Sequence, residues 1–110
     1  MNNLHLSEEA QADLAEILEY ISNELENHAA ALSIVGKITN GMRILRSHPL
    51  SGTPLSSVAD VESDYRFLVS GKYLTFYRIV DNDVYVDRVL YGRRDYLRIL
   101  LGDFPEETVE

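Results

Sequence analysis

No cysteine occurs among the 110 residues, which excludes disulfides and thiolate metal sites and suits a reducing compartment. No run of about 18 apolar residues is present, so no segment is read as a membrane span. The opening Met1-Asn2-Asn3-Leu4-His5 lacks the basic-then-apolar order of an export signal. These absences give the expectation of a soluble, cytoplasmic protein. Lys and Arg are missing from residues 1–36, which carry seven carboxylates. The net charge of -8 argues against broad nonspecific attraction to nucleic acid. Repeats of solenoid period are also missing, and 110 residues are too few to divide into two adequate cores, so one domain over 1–110 is expected.

What is present is unevenly placed. Arg66, Lys72, Arg78, Arg88, Arg93, Arg94 and Arg98 concentrate the positive charge between residues 66 and 98, a segment of net charge +3. Function is expected there. Solvated acidic helices and scattered arginines on a sheet would give the same pattern without any site.

Leu4 and Leu6 alternate around His5 and read as a short strand. Ser7 then supplies an N-cap, and Glu8 and Glu9 favour the positive end of a helix dipole. Ala10, Leu14, Ile17, Leu18, Ile21 and Leu25 recur at helical spacing with Asp13, Glu16, Glu19 and Glu24 between them, which predicts an amphipathic helix to about Glu26. A break at Asn27-His28 precedes a second run, seamed by Val35, Ile38, Met42 and Leu45 and stopped by Pro49. A short connection predicts an antiparallel helical hairpin. Residues 48–64, with Pro49, Gly52, Pro54 and several serines, read as a loop.

Three strands follow, Tyr65–Ser70, Tyr73–Val80 and Val84–Tyr91, rich in aromatic and β-branched residues. Gly71-Lys72 predicts a two-residue turn, and Asp81-Asn82-Asp83 a three-residue turn with Asn82 or Asp83 in the left-handed region. That register places Phe67 opposite Phe76, and Arg66, Tyr77 and Asp87 in one row. One face then carries Tyr65, Phe67, Val69, Leu74, Phe76, Val80, Val84, Val86 and Leu90 and is expected to pack on the helices. The other carries Arg66, Leu68, Tyr73, Thr75, Tyr77, Ile79, Tyr85, Asp87, Val89 and Tyr91. Arg78 and Arg88 fall on the helix-packing face, where they need the rim or a helix carboxylate. Gly92 ends the last strand, and residues 93–101 read as a short helix before a loose acidic tail over 102–110.

The helical hairpin ending His48-Pro49-Leu50-Ser51-Gly52, the strands Tyr65-Arg66-Phe67-Leu68-Val69 and Tyr73-Leu74-Thr75-Phe76-Tyr77-Arg78-Ile79, and the run Val89-Leu90-Tyr91-Gly92-Arg93-Arg94-Asp95-Tyr96 together resemble the RelE/ParE superfamily of type II toxins. The resemblance covers nearly the whole chain and rests on order and spacing. It implies an α+β fold of strand, two helices, three strands and helix, and a toxin held in check by a cognate antitoxin; separately, the scattered Asp and Glu lack clustered spacing, so no metal or cofactor is expected. RelE-like members are similar to ribosome-dependent mRNA endonucleases, and ParE-like members to gyrase poisons without a hydrolytic site.

RNA cleavage needs groups that activate the 2'-hydroxyl, stabilise the phosphorane and protonate the leaving oxygen. The positions matching the strand arginine and C-terminal tyrosine of RelE-like nucleases hold Leu74 and Leu100. Arg94 alone matches a nuclease cation, so the ParE-like reading is preferred. The rival enzyme would use Arg66 and Arg94 with Tyr96 or Tyr91, and a third reading is a toxin-fold interaction module without toxicity.

For a binding protein, the expected docking surface is the outer sheet face. Arg66, Leu68, Tyr73, Tyr77, Ile79, Tyr85, Val89 and Tyr91 would contact the antitoxin or gyrase, with Arg93, Arg94 and Arg98 meeting carboxylate or phosphate. An ordinary cross-strand row on a solvated face would look the same.

Overall fold

A computed structural model describes residues 1–102. The expected tail, apart from Gly102, lies outside the described residues. Strand β1 (Asn3–Leu6) leads into helix α1 (Glu8–Glu19), which widens into one π-helical turn over Tyr20–Glu24, and helix α2 (His28–Ile44) returns. A two-residue strand β2 (Thr53–Pro54), then β3 (Arg66–Ser70), β4 (Tyr73–Val80), β5 (Asp83–Tyr91) and helix α3 (Tyr96–Leu101) complete the chain. The sheet order is β1-β5-β4-β3-β2, antiparallel except for β1 running parallel beside β5. This is the α+β architecture that the strand and helix periodicities predict, with β2 added.

The caps follow the residue chemistry. Ser7 Oγ accepts the Ala10 amide at 2.9 Å, and Asn27 Oδ1 accepts the Ala30 amide at 3.0 Å, so each helix of the hairpin starts on a side-chain oxygen. Between them, Glu26 takes φ +51 to reverse the chain. In the Gly71-Lys72 turn, Gly71 adopts φ +62, a value glycine reaches without steric cost. The second hairpin turn is tighter than expected. Val80 pairs with Asp83, so only Asp81 and Asn82 lie between, and it is Asp81 that takes the left-handed conformation at φ +55.

The missing turn residue reappears as a bulge. Phe76 stands opposite Arg88 but Tyr77 opposite Val86, leaving Asp87 unpaired on β5. Val84, Val86 and Val89 can therefore all face one layer, which strict alternation forbids.

That layer corrects the expected faces. The helical hairpin packs on the side carrying Leu68, Tyr73, Tyr77, Ile79 and Val89, together with Val84 and Val86, against Ala10, Ile17, Ile21, Ala31, Ile38 and Met42. The opposite side holds a second cluster in which Leu55, Phe76 and Leu90 are buried beneath Val61, Tyr65, Tyr96, Leu97 and Leu100. Both faces of the sheet are covered, one by the hairpin and one by the 55–65 loop with α3. Tyr77 and Val89, expected in a docking surface, are core residues at 0% and 2% exposure.

Tyr77 also holds the loop that follows α2. Its hydroxyl donates to the Pro49 carbonyl at 2.7 Å and accepts the Gly52 amide at 2.9 Å. A Cβ on Gly52 would meet that hydroxyl at 2.5 Å and the Phe67 carbonyl at 2.8 Å, so the close approach requires glycine. Tyr77→Phe is expected to cost about 1–3 kcal/mol by orphaning a buried amide and carbonyl. Urea unfolding midpoints measure it, and a cost near zero would mean that water replaces the hydroxyl.

A candidate partner-binding groove

The sequence candidates separate into three regions. Arg66 shares the hairpin face with Tyr77, its cross-strand partner, at the far edge of the sheet, where Nη2 reaches the Leu50 carbonyl at 3.4 Å. Tyr96 lies on the opposite face against Phe76, ring centroids 5.3 Å apart. Arg94 sits beside the β3–β4 turn among the residues lining a groove. The structure does not gather Arg66, Arg94 and Tyr96 into one catalytic site.

The expected row Arg66-Tyr77-Asp87 also fails to form, because the bulge turns Asp87 to the opposite face. There Asp87 accepts from Arg78 Nε at 2.8 Å and from the Tyr65 hydroxyl at 2.8 Å. The Arg78 guanidinium lies 5.5 Å from the Tyr85 ring centroid and 6.0 Å from that of Tyr65, and Tyr85 stacks on His5 at 4.8 Å. Tyr85 is thus separated from the tyrosines it was expected to join.

Burial first, then the hydrogen bond to Asp87 and its charge, push the Tyr65 phenol up from 10.0 to about 12, with Arg78 opposing. The folded protein holds this proton more tightly than the unfolded chain does. Its contribution to stability is therefore complete below pH 10.0 and is lost as pH rises toward about 12. Tyr65→Phe is expected to flatten that alkaline loss, as read from unfolding midpoints across the same interval. An unchanged slope would assign the loss to other groups.

What the fold does gather is a groove of about 790 Å³ between the connected end of the hairpin and the sheet. Ile17, Ile21, Ala30 and Ile34 form its helix wall, and Tyr73, Tyr91 and Val89 its sheet wall. The π-helical turn brings Tyr20 and Leu25 to the mouth, where they are 53% and 56% exposed. Tyr73 and Tyr91 meet with ring centroids 5.6 Å apart. Burial, followed by the neighbouring phenols of Tyr91 and Tyr20, raises the Tyr73 phenol, so it stays protonated and serves as a donor and apolar contact.

The cations add direction. Lys37, Lys72 and Arg94 line this groove, and Lys72 and Arg93 line a smaller adjoining one. None of the four has a carboxylate within salt-bridge distance among the described residues, whereas Arg98 is paired with Asp95. Asp13, at the inner wall, is committed to Arg88. An apolar trough with Lys37, Lys72 and Arg94 unpaired beside a single free carboxylate, Glu16, suits an amphipathic segment whose own carboxylates meet those cations. Of the expected docking residues, Tyr73, Val89, Tyr91 and Arg94 line this groove and Arg93 lines its neighbour. Leu68 and Ile79 pack against the hairpin core.

The helix side of the groove, Ile17, Tyr20, Ile21 and Lys37, was not among the sequence candidates. Tyr20 carried the available signal, an aromatic residue on the helix flank next to the break at Asn27. Among the described residues no group of three metal-ligating side chains occurs, and no helix is long and apolar enough to cross a membrane.

A family model described as ParE toxin of type II toxin-antitoxin system, parDE, matches residues 4–96. Among solved structures the chain is similar to the chromosomal ParDE TA system from P. aeruginosa, at 21% identity and a TM-score of 0.68, covering 83% of this chain and 96% of that one. It is also similar to YafQ from E. coli strain BL21(DE3), at 16% identity and a TM-score of 0.50, covering 83% and 93% of the two chains. A search of curated proteins gives no match.

Proposed function

Because the chain belongs to the ParE toxin family of type II toxin-antitoxin systems, we propose that it acts by binding DNA gyrase, without cutting RNA, and that an antitoxin neutralises it. The observation that carries the non-nuclease half is the packing of α3. Leu74 and Leu100, at the positions where RNA-cleaving relatives are expected to place a strand arginine and a tyrosine, pack on the buried cluster of Phe76 and Leu90. Tyr96 packs there too. Arg66, Arg94 and Tyr96 lie in separate places, so these three give phosphorane stabilisation and leaving-group protonation no shared location.

The neutralising half is supported by the groove. An antitoxin segment with an apolar stripe would cover Tyr20, Ile21, Leu25 and Tyr73, and its carboxylates would meet Lys37, Lys72 and Arg94. Burying two exposed aromatic and aliphatic side chains at the mouth favours such a segment over solvent.

Induction in cells together with assays on purified protein tests both halves. The expected result is growth arrest with a DNA damage response, and inhibited supercoiling with accumulation of cleaved DNA. Ribosome-dependent cleavage of mRNA would overturn the gyrase reading. A protein that arrests nothing and binds no product of an adjacent reading frame would overturn the toxin mechanism altogether.

A further inference from the structure

Charge in the groove is sorted by wall. On the α1 side Glu16 lines it and Glu19 follows one turn on, in a stretch of 36 residues without Lys or Arg. On the sheet side stand Lys72 and Arg94, and the neighbouring carboxylate, Asp95, is taken by Arg98. Glu16, Glu19, Lys72 and Arg94 are all exposed, and none has an opposite charge within salt-bridge distance among the described residues. Lys37, from α2, is the exception to the sorting. Tyr20 and Leu25 stand at the mouth, each more than half exposed.

A patch of that kind is complementary to itself. A two-fold contact brings the same surface of both copies together, so it requires each feature and its complement on one patch. With the two-fold axis along the groove mouth, the rotation that generates the second copy exchanges the walls, and the acidic flank of each chain faces the cationic flank of the other. Both junctions are then attractive, and Tyr20 and Leu25 lose water where the two mouths meet. Glu16, which an acidic partner would leave unanswered, gains a cation in this arrangement. The net charge of -8 per chain opposes association at long range, but that repulsion is screened over about 8 Å at physiological ionic strength, while the wall contacts act at shorter distance.

We propose that the groove receives a second copy of this chain, in a two-fold pair in which Glu16 and Glu19 of each copy meet Lys72 and Arg94 of the other and Tyr20 of each copy completes the other's groove. The patch is small, which places the pair at the weak end of specific association, with a dissociation constant on the order of 10–100 µM. Above that concentration the groove is closed to outside segments, and below it the groove is open. The pair follows from the patch alone and stands whether or not the chain is a toxin.

Charge reversal on one wall at a time, followed by sedimentation of the full chain over a concentration series, supplies the test. The parent chain is expected to pass from monomer to dimer and no further, because a two-fold contact closes on itself. Lys72→Glu with Arg94→Glu, and separately Glu16→Lys with Glu19→Lys, all at exposed positions, should each weaken the dimer at least about tenfold, since like charges then face each other at both junctions. Mixed in equal amounts, the two variants should recover a dimer with one chain of each kind at the parent's concentration, because both junctions are again attractive. Bulk charge predicts the opposite for one of them. Glu16→Lys with Glu19→Lys moves the net charge halfway from -8 to zero, so relief of overall repulsion alone would make that variant associate more tightly than the parent. A parent chain that stays monomeric at about 1 mM, association that continues past the dimer, a tighter dimer in the Glu16→Lys and Glu19→Lys variant, or a mixture of the two folded variants that fails to associate would overturn the proposal.

Discussion

Replacing Asp13 by alanine is expected to cost about 3–5 kcal/mol of folding stability, the penalty for stripping one partner from a buried ion pair. Asp13 is 7% exposed. Its Oδ2 accepts from Arg88 Nε and from the Val89 amide, both at 2.8 Å, and its Oδ1 accepts from Arg88 Nη2 at 2.8 Å. Arginine stays protonated in proteins, so once Asp13 is gone the Arg88 cation cannot escape by losing its proton. Alanine would leave a three-quarters-buried guanidinium and a buried amide unsatisfied together.

The position of this pair explains its weight. Strand β1 accompanies β5 only as far as Val86, where the Ser7 amide bonds the Val86 carbonyl and the Ser7 hydroxyl donates to the Asp87 carbonyl. Beyond the bulge, Asp13 takes over from β1 and ties α1 to β5. Because Asp13 and Val89 both line the groove, the same pair fixes its inner wall. Guanidinium chloride unfolding supplies the measurement, with the double change Asp13→Leu and Arg88→Met as the control. That double variant should lie much closer to the parent, since removing both charges removes the desolvation penalty. An Asp13→Ala cost below about 1 kcal/mol would place the pair with exposed ion pairs and sink the argument.

Asp13 also shows where reading the sequence stopped. The helical period puts Ala10, Leu14, Ile17, Leu18, Ile21 and Leu25 on one stripe; Ala10, Ile17 and Ile21 are buried, whereas Leu18 and Leu25 are exposed. Asp13 lies between those apolar positions, and periodicity alone does not register an arginine 75 residues away. The need of Arg88 for a helix carboxylate was legible, and Asp13 meets it. Arg78 instead found Asp87 on its own sheet.

The inverted faces have a related cause. Alternation along β4 separates Leu74 and Phe76 from Tyr73, Tyr77 and Ile79, but both sets are apolar enough for a core. A sheet covered on one side only would have resolved the choice. This sheet is covered on both, by the hairpin over Tyr77 and by α3 with the 55–65 loop over Phe76. The bulge compounded the error, because a two-residue turn with an extra residue at Asp87 and a three-residue turn without one give the same pairing at Phe76 and Arg88. Groove residues on α1 were missed for a simpler reason. They acquire meaning only when the hairpin splays from the sheet, a packing event with no local sequence code.

Phe76→Ala is expected to destabilise the protein by about 3–5 kcal/mol, the range for emptying a buried aromatic site. Phe76 is fully buried, and its ring touches both halves of the second cluster, with centroids 6.0 Å from Phe67 and 5.3 Å from Tyr96. Its loss opens a cavity beneath the loop and beneath α3 at once. Tyr96→Ala removes only the α3 side and should cost less globally, while the α3 amides lose their hydrogen-exchange protection and those of β4 keep theirs. This difference bears on function because Arg93 and Arg94 lie between Gly92, whose amide is fixed to the Lys72 carbonyl at 2.8 Å, and the start of α3. Undocking α3 frees one end of that short segment and so loosens the cationic rim without disturbing the apolar groove. Tyr96→Ala should therefore weaken a charged partner more than an apolar one, as binding measured at low and high salt would show. Equal costs for the two variants, or exchange that spreads into β4 in Tyr96→Ala, would mean that the second cluster is not a separate support for α3.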